Sequence, residues 1–136
     1  LWFWQAKRSQ TPVPDEGKES WQAQLVAGAK QCRNPWLPEI ETMPGGVPEL
    51  IAAARNFKHC FMLHEDHNRG RALALGDLPP TESPLFILGP EGGFAPEETE
   101  ALIAAGIAPV TLGKRVLRWE TAALLCLGLA WWNGGR

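Results

Sequence analysis

Leu85-Phe86-Ile87-Leu88-Gly89-Pro90-Glu91-Gly92-Gly93-Phe94 constrains this chain more than any other stretch. Residues 85–88 are apolar, short and bounded by prolines, which predicts a strand buried on both faces. The glycines that follow permit positive φ or close approach of the backbone to a ligand, with the Glu91 carboxylate among them. Pro96 suits the first turn of a helix, and Glu97 and Glu98 suit its positive end. In open α/β sheets, ligands bind off the carboxyl ends of strands, where such turns lie. The same residues also fit a tight strand-to-helix connection with no ligand. The spacing is not GxGxxG and lacks the Lys-Ser/Thr of a phosphate loop, so neither a dinucleotide nor a nucleoside-triphosphate site is supported.

Strands and helices alternate along the rest of the chain. Residues 1–6 predict a strand, and 9–19, with Pro12, Pro14, Asp15 and Gly17, a polar loop. Ser20 caps a predicted helix to Cys32, with Trp21, Leu25, Ala29 and Cys32 on one face. Residues 36–46 read as extended and turn-rich, and Pro48–Ala54 as a short helix. Phe57–His64 predicts a strand and Glu65–Gly70 a charged loop; 71–76 is ambiguous. After the glycine loop come a helix over 96–105 stopped by Gly106, a strand over 108–112, a basic loop over 113–119, and a last helix from Glu120 to Trp132, ended by Asn133-Gly134-Gly135. This alternation predicts an α/β domain with a mainly parallel sheet and helices on both faces.

The length of 136 residues suits one domain with a real core. A net charge of −2 means that any nucleic-acid contact must come from local basic patches or another domain. Cysteines 32, 60 and 126 are too widely spaced for a disulfide framework and suit a reducing cytoplasm. The start lacks the pattern of a signal peptide, and Thr121–Trp132 is too short an apolar run to cross a bilayer. The opening Leu1-Trp2-Phe3-Trp4 reads like the interior of a strand, which suggests that sequence precedes it. The last helix has no polar face, so it must be covered all round. Either it is a buried central helix or a second subunit covers one side, and Trp131-Trp132 suits an interface.

Three constellations could carry chemistry. His59, Cys60, His64 and His67 invite a zinc reading, but strand alternation sends His59 and Cys60 to opposite faces and the spacing matches no structural zinc pattern. His64, at a strand end beside Glu65 and Asp66, suits either a ligand-touching loop or a surface pairing with a carboxylate. Thr111-Leu112-Gly113-Lys114-Arg115-Val116-Leu117-Arg118-Trp119-Glu120-Thr121 is a strand end, three cations and a helix start. Such a loop can meet phosphate or developing negative charge, or its arginines can pair with Glu97, Glu98 or Glu100. No thiol triad is signalled, and Pro79-Pro80 reads as a stiff linker.

Leu-Gly-Pro-Glu-Gly-Gly-Phe at 88–94, the acidic helix after it, and Leu-Gly-x-Arg-Val-Leu-Arg-x-Glu-Thr-Ala at 112–122 together resemble the RsmE-type 16S ribosomal RNA uridine-N3 methyltransferases of the SPOUT superfamily. Weaker similarity lies at Gln31-Cys32, Pro38-Glu39-Ile40 and Leu63-His64. The resemblance implies S-adenosylmethionine as methyl donor, a deep C-terminal trefoil knot, and a homodimer through the last helix. It also implies a small-subunit ribosomal RNA partner and an N-terminal PUA-like domain for which this chain has no room. The donor would lie among Leu63, His64, Gly89, Pro90, Glu91, Gly92, Gly93, Leu112, Gly113, Val116 and Leu117. Arg118 would stabilise the uracil anion, Glu120 would orient Arg118 or act as base, and Glu91 would orient its loop or lie near the donor's positive charge; no metal is implied.

The chain departs from the family at four places. Ala95 stands where a Ser or Thr cap is usual, at a cost of about 1 kcal/mol. Lys30-Gln31 replaces Glu-Gln. Asn34 stands at an arginine position, with Arg33 displaced by one. Trp119 replaces a smaller residue, where it can stack on a base or narrow the pocket. Two other functions remain compatible with these residues: a non-catalytic donor-binding and dimerisation module or diverged RNA-binding relative, and a generic α/β domain that binds ATP or NAD.

Overall fold

A computed structural model describes residues 1–13, 19–66 and 68–134. The predicted loop positions Pro14, Asp15 and Gly17, the side chain of His67, and Gly135 lie outside the described residues. The elements in chain order are β1 (Trp2–Trp4), α1 (Glu19–Cys32), β2 (Glu41–Met43), α2 (Val47–Ala54), β3 (Cys60–Leu63) and β4 (Arg71–Ala72). A 3-10 turn at Leu75–Asp77 follows, then β5 (Leu85–Leu88), α3 (Pro96–Ala104), β6 (Ala108–Thr111) and α4 (Trp119–Gly134).

The main sheet has the order β4-β6-β3-β5, and every pairing in it is parallel. β1 and β2 form a separate parallel pair, with Trp4 opposite Met43. The expectation of a mainly parallel α/β fold therefore holds, but the strands divide into two sheets. β2 has no strand-like alternation in its sequence; it forms because its backbone pairs with β1 across the intervening helix.

Alternation along β3 explains the two-sided core. Met62 points to one face, where it is buried with Leu50 and Ala54 of α2, Leu102 of α3, Ile87 and Ile107. Phe61 points to the other, against Val110 and Leu78, with Leu129 of α4 packed alongside. A strand buried on both faces needs apolar residues at successive positions, and Cys60-Phe61-Met62-Leu63 and Leu85-Phe86-Ile87-Leu88 supply them. Gly106, at φ +86°, ends the α3 segment as expected.

Two helices differ from their sequence reading. Cys32, placed on the buried stripe of α1, is exposed; the half-buried face runs through Trp21, Leu25, Val26 and Ala29. α4 is not a buried central helix. Ala122 and Cys126 are buried, while Leu124, Leu127 and Trp131 are largely exposed. The buried residues lie four apart and so form one narrow stripe.

Candidate active site

Three strands that lie side by side, β5, β3 and β6, send the chain out at their carboxyl ends into the loops that motif reading singled out. These loops close on one cavity of about 520 Å³, within the range typical of small-molecule sites. Leu63, His64 and Glu65 come from the end of β3. Leu88, Gly89, Pro90, Glu91, Gly93 and Phe94 come from the end of β5. Thr111, Leu112, Gly113 and Arg115 to Trp119 come from the end of β6, and Ala122 of α4 completes the lining.

Of the expected donor-binding positions, Leu63, His64, Gly89, Pro90, Glu91, Gly93, Leu112, Gly113, Val116 and Leu117 line this cavity, as does Arg118. Gly92 and Glu120 do not line it. Gly92 faces outward, where its carbonyl accepts a 3.0 Å hydrogen bond from Arg8 Nη1 and a side chain would meet Arg8 Cβ. Glu120 sits exposed in the first turn of α4.

The glycine loop needs its composition at one point above all. Gly93 has φ +66°, and a Cβ there would come within 2.8 Å of Glu65 Oε1. The left-handed backbone disfavours a side chain, and the Glu65 carboxylate, the free end of a flexible side chain, would have to swing aside to admit one. Phe94 then turns inward, stacked with Trp4 at 5.8 Å and with His64 at 6.4 Å between ring centroids. His64 Nδ1 accepts a hydrogen bond from Asp66 N at 3.0 Å, which places the proton of a neutral ring on Nε2. Its partner is thus the backbone of Asp66 and not a carboxylate.

Several residues that support the cavity carry no signal in the sequence. Trp4 Nε1 donates to Leu88 O at 2.9 Å, 84 positions away. Lys7 N donates to Glu98 Oε1, Ala95 N donates to Glu98 Oε2, and Lys7 Nζ pairs with Glu97. Glu98 is only 4% exposed, so its carboxylate is a buried clamp between the segment after β1 and the start of α3. The Lys7 ammonium holds the Glu97 carboxyl below its ordinary range. Glu97 and Glu98 are therefore engaged by the N-terminal segment and not by arginines of the basic loop. Among the described residues, no hydrogen bond or ion pair holds the side chain of Glu91, Arg118 or Glu120. The proposed Arg118–Glu120 contact is not formed.

The histidines and cysteines divide among separate surroundings. His59 Nε2 lies 2.8 Å from Glu82, which also binds Lys58. Cys60 Sγ donates to the carbonyls of Ala54 and Phe57. Among the described residues, no group of three or more His, Cys, Asp or Glu side chains is placed to hold a metal.

A parallel α/β sheet with a glycine-lined cavity at the carboxyl ends of its strands is the architecture of the α/β domains that place a ligand between loops. Its sequence says which kind. The RNA methyltransferase domain family matches residues 1–131, and the chain belongs to that family. It is 32% identical over 120 residues to the ribosomal RNA small subunit methyltransferase E of Mycobacterium bovis, a match covering 84% of this chain and 44% of that protein. The chain thus spans about half the length of the curated relatives it matches. A crystal structure of a probable rRNA-methyltransferase from Porphyromonas gingivalis superposes with a TM-score of 0.80 at 28% identity, over 93% of this chain and 52% of that one. The ribosomal RNA small subunit methyltransferase E of Neisseria gonorrhoeae, bound to S-adenosyl methionine, superposes with a TM-score of 0.70 at 27% identity, over 93% and 52%.

Proposed function

We propose that this chain is the catalytic domain of an S-adenosylmethionine-dependent methyltransferase that acts on N3 of a uridine in 16S ribosomal RNA. The observation that carries this reading is the convergence of three motif-bearing loops on one cavity, in a member of the RNA methyltransferase family. The cavity suits the donor: Gly89, Gly93 and Gly113 carry no side chains along its wall, and Gly93 takes a left-handed backbone that a side chain would strain. When bound there, S-adenosylmethionine supplies an electrophilic methyl group.

The chain's own residues do the rest. Arg118, a cation in the wall with no competing partner among the described residues, stabilises the uracil as N3 loses its proton. Glu91, a carboxylate in the wall, would orient its loop or lie near the positive charge of a bound donor. Glu120, outside the wall, orients Arg118 or takes the proton only after Arg118 and the α4 turn adjust around the substrate. The fold reading extends to a trefoil knot at the C-terminal loops and to a cytoplasmic homodimer through α4. Among the described residues no helix is long and apolar enough to cross a membrane.

Calorimetric titration with S-adenosylmethionine and S-adenosylhomocysteine, with ATP and NAD as controls, tests the cofactor. Micromolar binding at one donor per subunit, absent for the controls, is expected. Arg118→Ala should abolish methyl incorporation into small-subunit RNA and leave donor affinity nearly intact. Unchanged turnover would remove Arg118 from the mechanism, and a wild-type chain that binds donor but transfers no methyl group would be a donor-binding module instead.

A further inference from the structure

Two cavities meet at Trp119. The candidate donor cavity and a larger apolar groove of about 1030 Å³ share Leu88, Gly89, Pro90, Glu91 and Trp119 in their walls. The indole is 43% exposed at this junction, at the first residue of α4 and directly after Arg118. The cavity wall holds one other carbocyclic aromatic ring, Phe94, and that ring already stacks with Trp4 and His64. Trp119 makes no ring contact among the described residues. The site therefore contains one aromatic face left for a flat ligand. Arg115 and Arg118 line the same wall, so that face stands among cations suited to a polyanion.

We infer that Trp119 is a substrate-specificity residue: it stacks on the acceptor base of single-stranded RNA and holds that base beside Arg118. The inference rests on the methyltransferase reading above and deepens it. An indole stacks on the face of any flat base, and the loss of one such contact weakens binding about ten- to hundredfold. Stacking fixes the plane of the base, which a single cation cannot do, because a charge attracts without orienting a ring.

The test is a double-mutant cycle read at equilibrium. Binding of a uridine-containing oligoribonucleotide from small-subunit RNA is measured by fluorescence anisotropy with S-adenosylhomocysteine present. The same oligonucleotide with an abasic acceptor position is the second arm, and wild type, Trp119→Ala and Trp119→Phe are compared. Trp119→Ala should weaken binding of the intact oligonucleotide about tenfold or more, leave abasic binding unchanged, and leave calorimetric donor affinity within about twofold. Trp119→Phe should recover most of the loss. Equal binding of the intact oligonucleotide by wild type and Trp119→Ala overturns the inference. So does a fall in donor affinity, which would make the indole a platform for adenine, or a change in oligomeric state by sedimentation, which would make it a packing residue. A wild-type chain that binds no donor removes the methyltransferase reading and this inference together, whereas intact donor affinity with no base-dependent loss removes this inference alone.

Discussion

At the scale of single residues, the glycine loop after β5 is constrained most at the backbone of Gly93. The sequence pattern pointed to a glycine loop without saying which glycine its backbone requires; φ +66° at Gly93 decides it. Gly93→Ala should lower stability by about 1–2 kcal/mol through the left-handed backbone and weaken donor binding by reshaping the loop. Chemical denaturation and calorimetry would read both, and unchanged values would mean the loop relaxes freely. Cys126 makes a second residue-scale prediction. Burial against the sheet pushes its thiol up to about 11 from an ordinary value near 9, because a thiolate there would lose its water. The folded chain holds this proton longer than the unfolded chain. Its contribution is therefore complete below about pH 9 and is lost as pH rises toward 11. Thiol titration at pH 8 should modify exposed Cys32 quickly and Cys126 only at the rate of unfolding; equal rates would show that α4 opens readily.

At the scale of elements, the start of α3 shows how a missing cap is replaced. Ala95 sits in the extended conformation of a helix cap, φ −70° and ψ 150°, with no side-chain oxygen to offer. Glu98 reaches back to the Ala95 N–H and also takes the Lys7 N–H, so half of a capping box survives and ties the helix to the segment after β1. Glu98→Ala should destabilise the domain by about 1–3 kcal/mol, because two donors lose a buried partner. Ala95→Ser should restore the other half and stabilise by about 0.5–1 kcal/mol. Opposite shifts of the two midpoints in urea would support this division of roles, whereas a neutral Glu98→Ala would show that water serves the same N–H groups. The element also explains a misplaced expectation. Glu97, Glu98 and Glu100 stood as one alternative set of partners for the arginines of the basic loop, but Glu97 and Glu98 engage Lys7, whose proximity no local pattern discloses.

At the scale of the whole molecule, α4 carries the prediction. Leu124, Leu127 and Trp131 leave an apolar surface of a kind that monomers rarely expose. Sedimentation of the wild type should show a dimer and Leu124→Glu a monomer that still folds, since Leu124 is 72% exposed in the single chain. A monomeric wild type would remove the dimer reading. Most of the cavity wall was legible only through the resemblance of the two loop motifs to a known family. The sequence by itself determined most of the element types and the parallel α/β class, with β2 and β4 left unassigned. These depend on apolar runs, helix stops and glycine positions, which act over a few neighbouring residues. Only the tertiary structure decided that β1 and β2 form their own sheet, that Gly92 and Glu120 stand outside the wall, and that Trp4, Lys7 and Glu98 brace the loops. Those outcomes depend on contacts between residues tens of positions apart, and the path of the chain, not local composition, brings such residues together.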